Sequence, residues 1–250
     1  MLTIAEYRAL LAGQADAFEE SVRSGDADAR VPWADDWRMG DVAEHLAGVH
    51  RWAAEVVSTG RRPDTIPEAP PDLGLGDLYR HCADTLLAAL DGADPESECW
   101  TFGAAPRRTS FWFRRQNLET LVHRWDVGAA LNRPVAIDAA LAADGVDEVL
   151  TVMLPRRDRW HRAPFPDYVG HVLIEATDTG HRWTIENLDG RAAAFPLLED
   201  EAEPPVATAR GRAEDLLLLL WRRIPLETGH VRPEGDHGLL QGITAAGLTP

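Results

Sequence analysis

Residues 111–131 read FWFRRQNLETLVHRWDVGAAL, and this stretch decides the fold of the first half of the chain. It contains no proline and only one glycine, close to its end, so it predicts a single long α-helix. At about 100° per residue, its apolar side chains form one stripe: Phe111, Leu118, Leu121, Trp125 and Ala129. A second group of polar side chains falls on the far side, and we expect it to face water: Gln116, Asn117, Thr120 and Arg124.

Between these two faces, Glu119 and His123 are four residues apart and project together. A carboxylate oxygen and an imidazole nitrogen could both meet one divalent ion at about 2.0–2.2 Å. The alternative is a charge ladder along Arg115, Glu119 and His123, with about 0.2–0.5 kcal/mol per pair. On the spacing alone we favour the ladder, because a metal site requires a third ligand from elsewhere in the chain.

Length and composition exclude several classes of function. The 250 residues allow one large or two modest domains, and the formal net charge of −16 argues against nucleic acid and anionic membranes as partners. All basic side chains are arginine, which excludes Schiff-base chemistry and a lysine general base. The two cysteines, Cys82 and Cys99, provide no disulfide framework and favour a cytoplasmic protein with both thiols in the core. No apolar run is long enough to span a membrane.

Further amphipathic helices precede and follow the central one. A capping box at Thr3 and Glu6 starts the first helix, and Asp138 caps a fifth helix that Pro155 is expected to stop. The second and third helices are predicted at about 40–57 and 75–90. Such a succession is typical of an antiparallel bundle, in which metal sites lie among facing helices. On the second helix, His45 lies at the edge of the apolar face and is turned inward.

The hydrophobic period changes after the prolines of residues 155–168, where we place the domain boundary. Residues 170–177 and 181–188 read as two strands joined by a short turn. Three more strands and two helices are predicted at 192–197, 206–210, 213–224, 229–232 and 238–246. The predicted fold is a helical bundle over residues 1–160, followed by a small α/β domain (class α+β) with an antiparallel sheet over residues 161–250.

Three short motifs resemble one known family. Residues 37–46 read WRMGDVAEHL, residues 119–126 read ETLVHRWD, and residues 207–217 read ATARGRAEDLL. In this order they resemble the mycothiol-dependent maleylpyruvate isomerase family. The resemblance covers nearly the whole chain. It implies a DinB-like four-helix bundle in the first half and a domain shaped like sterol carrier proteins in the second.

The resemblance also implies a ligand set. It indicates a divalent metal, usually zinc, held by His45, Glu119 and His123, which agrees with the inward direction of His45. Two histidines and one carboxylate leave a coordination position open, as in catalytic zinc sites. Asp126 is a candidate acceptor for the second nitrogen of a ligating imidazole, and a surface ion pair with Arg115 or Arg133 is the alternative.

The family further brings an arginine of the second domain to the site, where a guanidinium suits a substrate carboxylate. Arg232 is our prediction, and Arg210 and Arg212 compete with it. The remaining seven histidines have no ligand spacing of their own, and His50 falls on a different face from His45. Trp112 and Trp125 are interpreted as core residues.

By this resemblance, the chain is expected to be an enzyme that uses mycothiol as its thiol cosubstrate. The thiol would add to a small electrophile such as maleylpyruvate, in an isomerase or a thiol transferase. Three other functions stay open: a non-catalytic DinB-like binding or stress-response module, a metal-dependent hydrolase that activates water, and a carrier of an apolar ligand.

Overall fold

The computed structural model describes residues 2–34, 36–103, 107–160, 164–188, 191–197 and 203–250. The Cα positions group into two compact units, Met1–Ala136 and Ile137–Pro250. None of the helices in these described ranges is both long enough and apolar enough to cross a bilayer.

The first unit is a four-helix bundle, as the sequence predicts. Its helices are α1 (Ile4–Ser24), α2 (Met39–Thr59), α3 (Leu75–Gly92) and α4 (Ser110–Ala130). The predicted capping box is confirmed, because the Thr3 hydroxyl accepts from the Glu6 amide and the Glu6 carboxylate accepts from the Thr3 amide. Packing of α1 against α3 and α4, and of α2 against the same two helices, closes the bundle.

Aliphatic and aromatic side chains from α1, α2 and α3 fill one core cluster. The rings of Phe18 and Tyr79 lie 4.4 Å apart at its centre, and both side chains are fully buried. Cys82 is also buried in this cluster, and Cys99 is buried elsewhere in the same unit, as predicted. Burial raises the pKa of both thiols, so they are weak nucleophiles at neutral pH.

The polar face of α4 does not meet water, and this part of the prediction is wrong. Fifteen of its 21 residues are buried, among them Gln116, Asn117 and Thr120, while Arg124 is partly buried. Since α4 packs against both α1 and α2, the helix needs internal partners for its polar groups. The Asn117 amide donates to the Tyr7 carbonyl at 2.7 Å and its side-chain oxygen accepts from Gln14 at 3.1 Å.

The fifth helix, α5 (Ala139–Glu148), belongs to the second unit. The predicted cap is present, since an Asp138 carboxylate oxygen accepts from the amides of residues 140 and 141, both at 3.0 Å. The chain then continues through a π-helical turn at Val149–Met153 and a 3₁₀ helix at Leu154–Arg159. Helical turns therefore continue past Pro155, which was expected to end the helix. The boundary between the compact units therefore falls before α5, earlier than residue 160, because α5 packs against a helix of the second unit.

The second unit holds a five-stranded sheet in the order β3-β2-β1-β4-β5. Its strands are β1 (His171–Ala176), β2 (Arg182–Leu188), β3 (Arg191–Pro196), β4 (Ala207–Gly211) and β5 (Arg232–Gly235). Two helices complete it, α6 (Ala213–Leu220) and α7 (His237–Ala245). The class of fold is confirmed, with two differences: β1 and β4 pair in parallel, and β5 begins at Arg232, where the prediction ended.

Gly128 lies close to the segment that follows α4. A Cβ there would overlap a Val135 methyl and lie 2.7 Å from the Arg133 carbonyl oxygen, and the carbonyl is backbone that cannot easily move. Gly13 on α1 is exposed and would meet nothing within 4 Å.

We therefore expect Gly128→Ala to lower the free energy of unfolding by about 1–3 kcal/mol through overpacking. Gly13→Ala is the matched control and should raise it by about 0.5–1 kcal/mol, because alanine loses less backbone entropy in a helix. Urea unfolding followed by circular dichroism measures both. Equal effects of the two substitutions would contradict the tight contact at Gly128.

Candidate metal centre

Side chains from α2 and α4 meet inside the bundle. His45 projects from the N-terminal half of α2, while Glu119 and His123 project from successive turns of α4. One donor atom from each of the three residues lies within 4.8 Å of the other two. Two segments more than 70 residues apart in sequence thus supply one cluster of nitrogen and oxygen donors.

The distances between donor atoms in this cluster suit an ion with tetrahedral coordination. Glu119 Oε1 lies 3.2 Å from His123 Nε2 and 3.6 Å from His45 Nε2. Two donors at 2.0–2.2 Å from one zinc ion, at the tetrahedral angle, are about 3.3–3.6 Å apart. The two imidazole rings meet edge to face with centroids 5.0 Å apart, so they approach the carboxylate from different directions. The residues present therefore fit a divalent ion such as zinc.

The charge ladder considered from the sequence is also present. The Arg115 guanidinium forms an ion pair with Glu119 Oε2, and both side chains are largely buried. The pair occupies one carboxylate oxygen and leaves Oε1 directed at the two histidines. A ladder on α4 accounts for Arg115, Glu119 and His123, but it gives no reason for His45 to converge on the same oxygen from another helix.

Asp126 determines which nitrogen of His123 carries a proton. Its Oδ2 lies 2.9 Å from His123 Nδ1, and both side chains are buried. A carboxylate accepts, so Nδ1 is the donor, and in the neutral imidazole the lone pair is then on Nε2. That lone pair faces Glu119 Oε1 at 3.2 Å. Two acceptors that face each other in this way need a cation or a proton between them, and a metal ion satisfies both.

The centre is open on the side of His45. The side chain of His45 is 40% exposed, whereas those of Glu119 and His123 are 10% and 6% exposed. Trp37, in the turn before α2, lies with its ring centroid 5.3 Å from that of His45. An ion or a ligand from solvent would therefore reach the donors past His45 and Trp37.

His50 lies deeper in the bundle and is not part of the donor cluster. The Thr120 hydroxyl donates to the Gln116 carbonyl at 2.7 Å, so its oxygen accepts from His50 Nε2 at 3.1 Å. Complete burial of the imidazole lowers the pKa of His50 to about 3. The imidazole is neutral at physiological pH and joins α2 to α4 as a structural donor.

Other residues singled out from the sequence lie away from this cluster. Trp112 is fully buried, as expected for a core residue, and Trp125 is partly buried with its ring 4.7 Å from that of Trp33. Arg232 is exposed at the start of β5, in the second unit, and its link to the metal centre stays a prediction. His161 falls outside the described residues.

Family models match most of the chain. The model described as "Mycothiol maleylpyruvate isomerase N-terminal domain" matches residues 8–128, and the model described as "MDMPI C-terminal domain" matches residues 140–242. The chain belongs to the mycothiol-dependent maleylpyruvate isomerase family. This confirms the resemblance drawn from the three short motifs, and it is a family of enzymes.

Solved structures agree with the family at the level of the fold. A crystal structure of the mycothiol-dependent maleylpyruvate isomerase is 14% identical, covers 94% of this chain and 95% of its own, and has a TM-score of 0.63. A histidine-to-alanine variant of that enzyme has the same identity and coverage, with a TM-score of 0.60. No curated protein matches the chain in sequence.

Sequence reasoning named the three side chains that the structure brings together, but it did not predict their environment. Helical spacing places Glu119 beside His123, and the family motif adds His45. The burial of Arg115 and the hydrogen bond from His50 to Thr120 were missed, because helical periodicity predicts only one buried face. A usable signal was the presence of Trp112 and Val122 among the charged side chains of the same helix, since apolar residues on a second face indicate that this face is buried too.

Removal of His45 tests the donor cluster. We expect His45→Ala to weaken zinc binding at least about 100-fold, because loss of a ligand should exceed the loss caused by an outer partner. Asp126→Asn should weaken zinc binding about 10–100-fold, because it no longer orients His123. His81→Ala is the control, since His81 is an exposed histidine of the same bundle. Competition titration with a chromogenic chelator measures all three, and equal zinc affinity in His45→Ala and His81→Ala would remove His45 from the cluster.

Burial of His50 also predicts a pH dependence of stability. As pH falls from 6.5 towards 3, the unfolded chain binds a proton that the folded chain cannot, so the free energy of unfolding should fall by up to about 1.4 kcal/mol per pH unit. His50→Gln should flatten this slope, and His81→Gln should keep it. Urea unfolding with chelator present, at several pH values in this window, gives the slopes. Parallel slopes for wild type and His50→Gln would contradict the assignment.

Proposed function

We propose that the chain is a metal-dependent and mycothiol-dependent isomerase or thiol transferase, with His45, Glu119 and His123 as the metal ligands. The observation that carries this proposal is the convergence of both imidazole Nε2 atoms on Glu119 Oε1, in a chain of this family. The proposed substrate is a small electrophile of the maleylpyruvate class, in which a carbon–carbon double bond is conjugated to a carbonyl group.

A zinc ion held by these three side chains would lower the pKa of a thiol at its open position, which makes a thiolate available at neutral pH. The chain's own residues prepare the place for it. Asp126 holds His123 in the tautomer that directs the Nε2 lone pair at the cluster, and Arg115 fixes the second oxygen of Glu119. His45 stands at the exposed side, where the thiol would enter.

The proposed reaction follows from thiol chemistry. The mycothiol sulfur donates its electron pair to the alkene carbon, and the electrons of the double bond move to the conjugated carbonyl oxygen as an enolate. The former double bond is now single and can rotate. Return of the electrons from the enolate expels the thiolate and forms the other geometric isomer, so mycothiol is regenerated. If a proton reaches the enolate carbon first, the adduct persists and the same site acts as a transferase.

Arg232 is proposed to bind a substrate carboxylate. Of its two competitors, Arg210 pairs opposite Arg232 in the sheet, and its guanidinium lies 3.0 Å from Glu175 and 3.2 Å from Glu234. Two carboxylates already partner Arg210, which disfavours it as the anchor of a third. Arg212 precedes α6 and lies 3.7 Å from Asp178. These contacts support Arg232, which is exposed at the end of an edge strand.

The test uses the zinc-loaded protein with mycothiol and a panel of cis-configured conjugated alkenes that includes maleylpyruvate. We expect the trans isomer or a stable mycothiol adduct, identified by NMR and mass spectrometry. Removal of the metal with a chelator, or His45→Ala, should lower the rate at least about 100-fold, and His81→Ala should leave it unchanged.

Each rival function predicts a different result in the same assay. A hydrolase would convert ester or amide substrates without mycothiol. A binding module would hold zinc but form neither isomer nor adduct across the panel. Turnover that persists in full without metal would contradict the proposed centre even if mycothiol is required.

A further inference from the structure

We propose that Trp37 is the binding platform for the sugar part of mycothiol and thereby a specificity-determining residue of the metal centre. This inference rests on the proposed function, because it assigns a contact to the thiol cosubstrate. It goes beyond the donor cluster and concerns a side chain that touches none of the reacting atoms.

Trp37 lies at the solvent-exposed side of the donor cluster, next to His45. It is 37% exposed, a large exposure for an indole, and its ring centroid is 5.3 Å from that of His45. The planes of the two rings meet at 64°, so His45 does not cover Trp37 by face-to-face stacking. His45 is the exposed member of the donor cluster. A ligand whose sulfur reached the cluster from solvent would thus extend its remaining atoms beside Trp37.

The turn before α2 fixes the backbone from which this indole projects. Backbone hydrogen bonds run from the Val31 amide to the Trp37 carbonyl and from the Trp37 amide to the Ala34 carbonyl, both at 3.0 Å. The Arg38 guanidinium donates to the Asp28 carbonyl at 2.7 Å, and this hydrogen bond stabilises the end of the turn. An indole has only two side-chain torsions, so Trp37 loses little entropy when it binds a ligand, which favours a binding role.

The sugar part of mycothiol has the chemistry that an indole binds. In mycothiol, a short cysteinyl amide joins the sulfur to a glucosamine ring that carries an inositol. One face of such a ring presents C–H groups, which pack on the electron-rich face of an indole, while the hydroxyl groups point outward to polar partners. Asp41 lies one turn before His45 on the same face of α2 and is exposed. One of its carboxylate oxygens accepts from the Arg38 backbone amide at 2.8 Å and caps the helix, and the carboxylate has a second oxygen that can accept from a hydroxyl group of the ligand.

The experiment measures thiol binding without turnover. Cobalt(II) replaces zinc, and a thiolate bound to cobalt produces a near-ultraviolet charge-transfer band. Mycothiol and N-acetylcysteine are titrated separately, because the second thiol carries the same sulfur group without the sugar rings. Three variants are compared after equal cobalt content has been verified: Trp37→Ala, Trp37→Phe and Leu73→Ala. Leu73 is the matched control, an apolar side chain of similar exposure (40%) in the same unit.

Wild type should bind mycothiol more tightly than N-acetylcysteine. Trp37→Ala should raise the Kd for mycothiol about tenfold, the size expected for loss of one ring stacked on an aromatic side chain, and leave the Kd for N-acetylcysteine unchanged. Trp37→Phe should retain most of the preference, and Leu73→Ala should equal wild type.

The results that would overturn the inference differ from those that would overturn the proposed function. Equal weakening of both thiols in Trp37→Ala would mean that the indole only positions His45. No weakening of either thiol in Trp37→Ala would remove the sugar contact. A wild-type protein that binds cobalt and shows no thiolate band with either thiol would instead refute the proposed function.

Discussion

Burial of the Glu119 carboxylate is the constraint on which the rest of the bundle depends. An ionised carboxylate in a protein interior costs several kcal/mol unless opposite charge and hydrogen bonds surround it. Arg115 compensates one oxygen, and the two histidines face the other. Removal of any one partner leaves a buried charge that is only partly neutralised. The packing of α2 against α4 brings His45 Nε2 to 3.6 Å from the same oxygen that His123 Nε2 faces at 3.2 Å.

The same constraint explains why α4 is polar and nevertheless buried. A bundle that must hold a charged cluster cannot surround its central helix with aliphatic contacts alone. Asn117 forms hydrogen bonds with Tyr7 and Gln14 of α1, and Thr120 accepts a hydrogen bond from His50 of α2. These directional bonds fix the rotation of α4 about its own axis more strictly than apolar packing does. Glu119 and His123 then point at α2 with little freedom.

The sequence was sufficient wherever a local rule determined the outcome. The caps at Thr3 and Asp138 fixed helix starts, and period-2 alternation located β1 and β2 to within a residue. Prediction from the sequence failed for features that depend on which elements pack or pair with each other. The apolar face of α5 is the same whether it packs on the bundle or on α6, so the boundary near residue 160 could not be corrected from periodicity. Likewise, β4 reads as a strand without showing that it lies parallel to β1. Of the candidate site, residue identities and the pairing of Arg115 with Glu119 came from spacing and family motifs, whereas the burial of Arg115 and the exposure of His45 required coordinates.

A ligand set divided between two helices has a consequence for folding as well as for chemistry. The unfolded chain separates His45 from Glu119 by more than 70 residues and offers no preformed site, so an ion that bound all three donors would bind the folded state. Its binding free energy would add to the packing of α2 on α4 and offset the cost of the buried carboxylate. The most exposed donor is also the one supplied by the other helix. His45, beside which an ion and a thiol would enter from solvent, thus also lies between α2 and α4, so occupation of the centre would be linked to the integrity of the bundle.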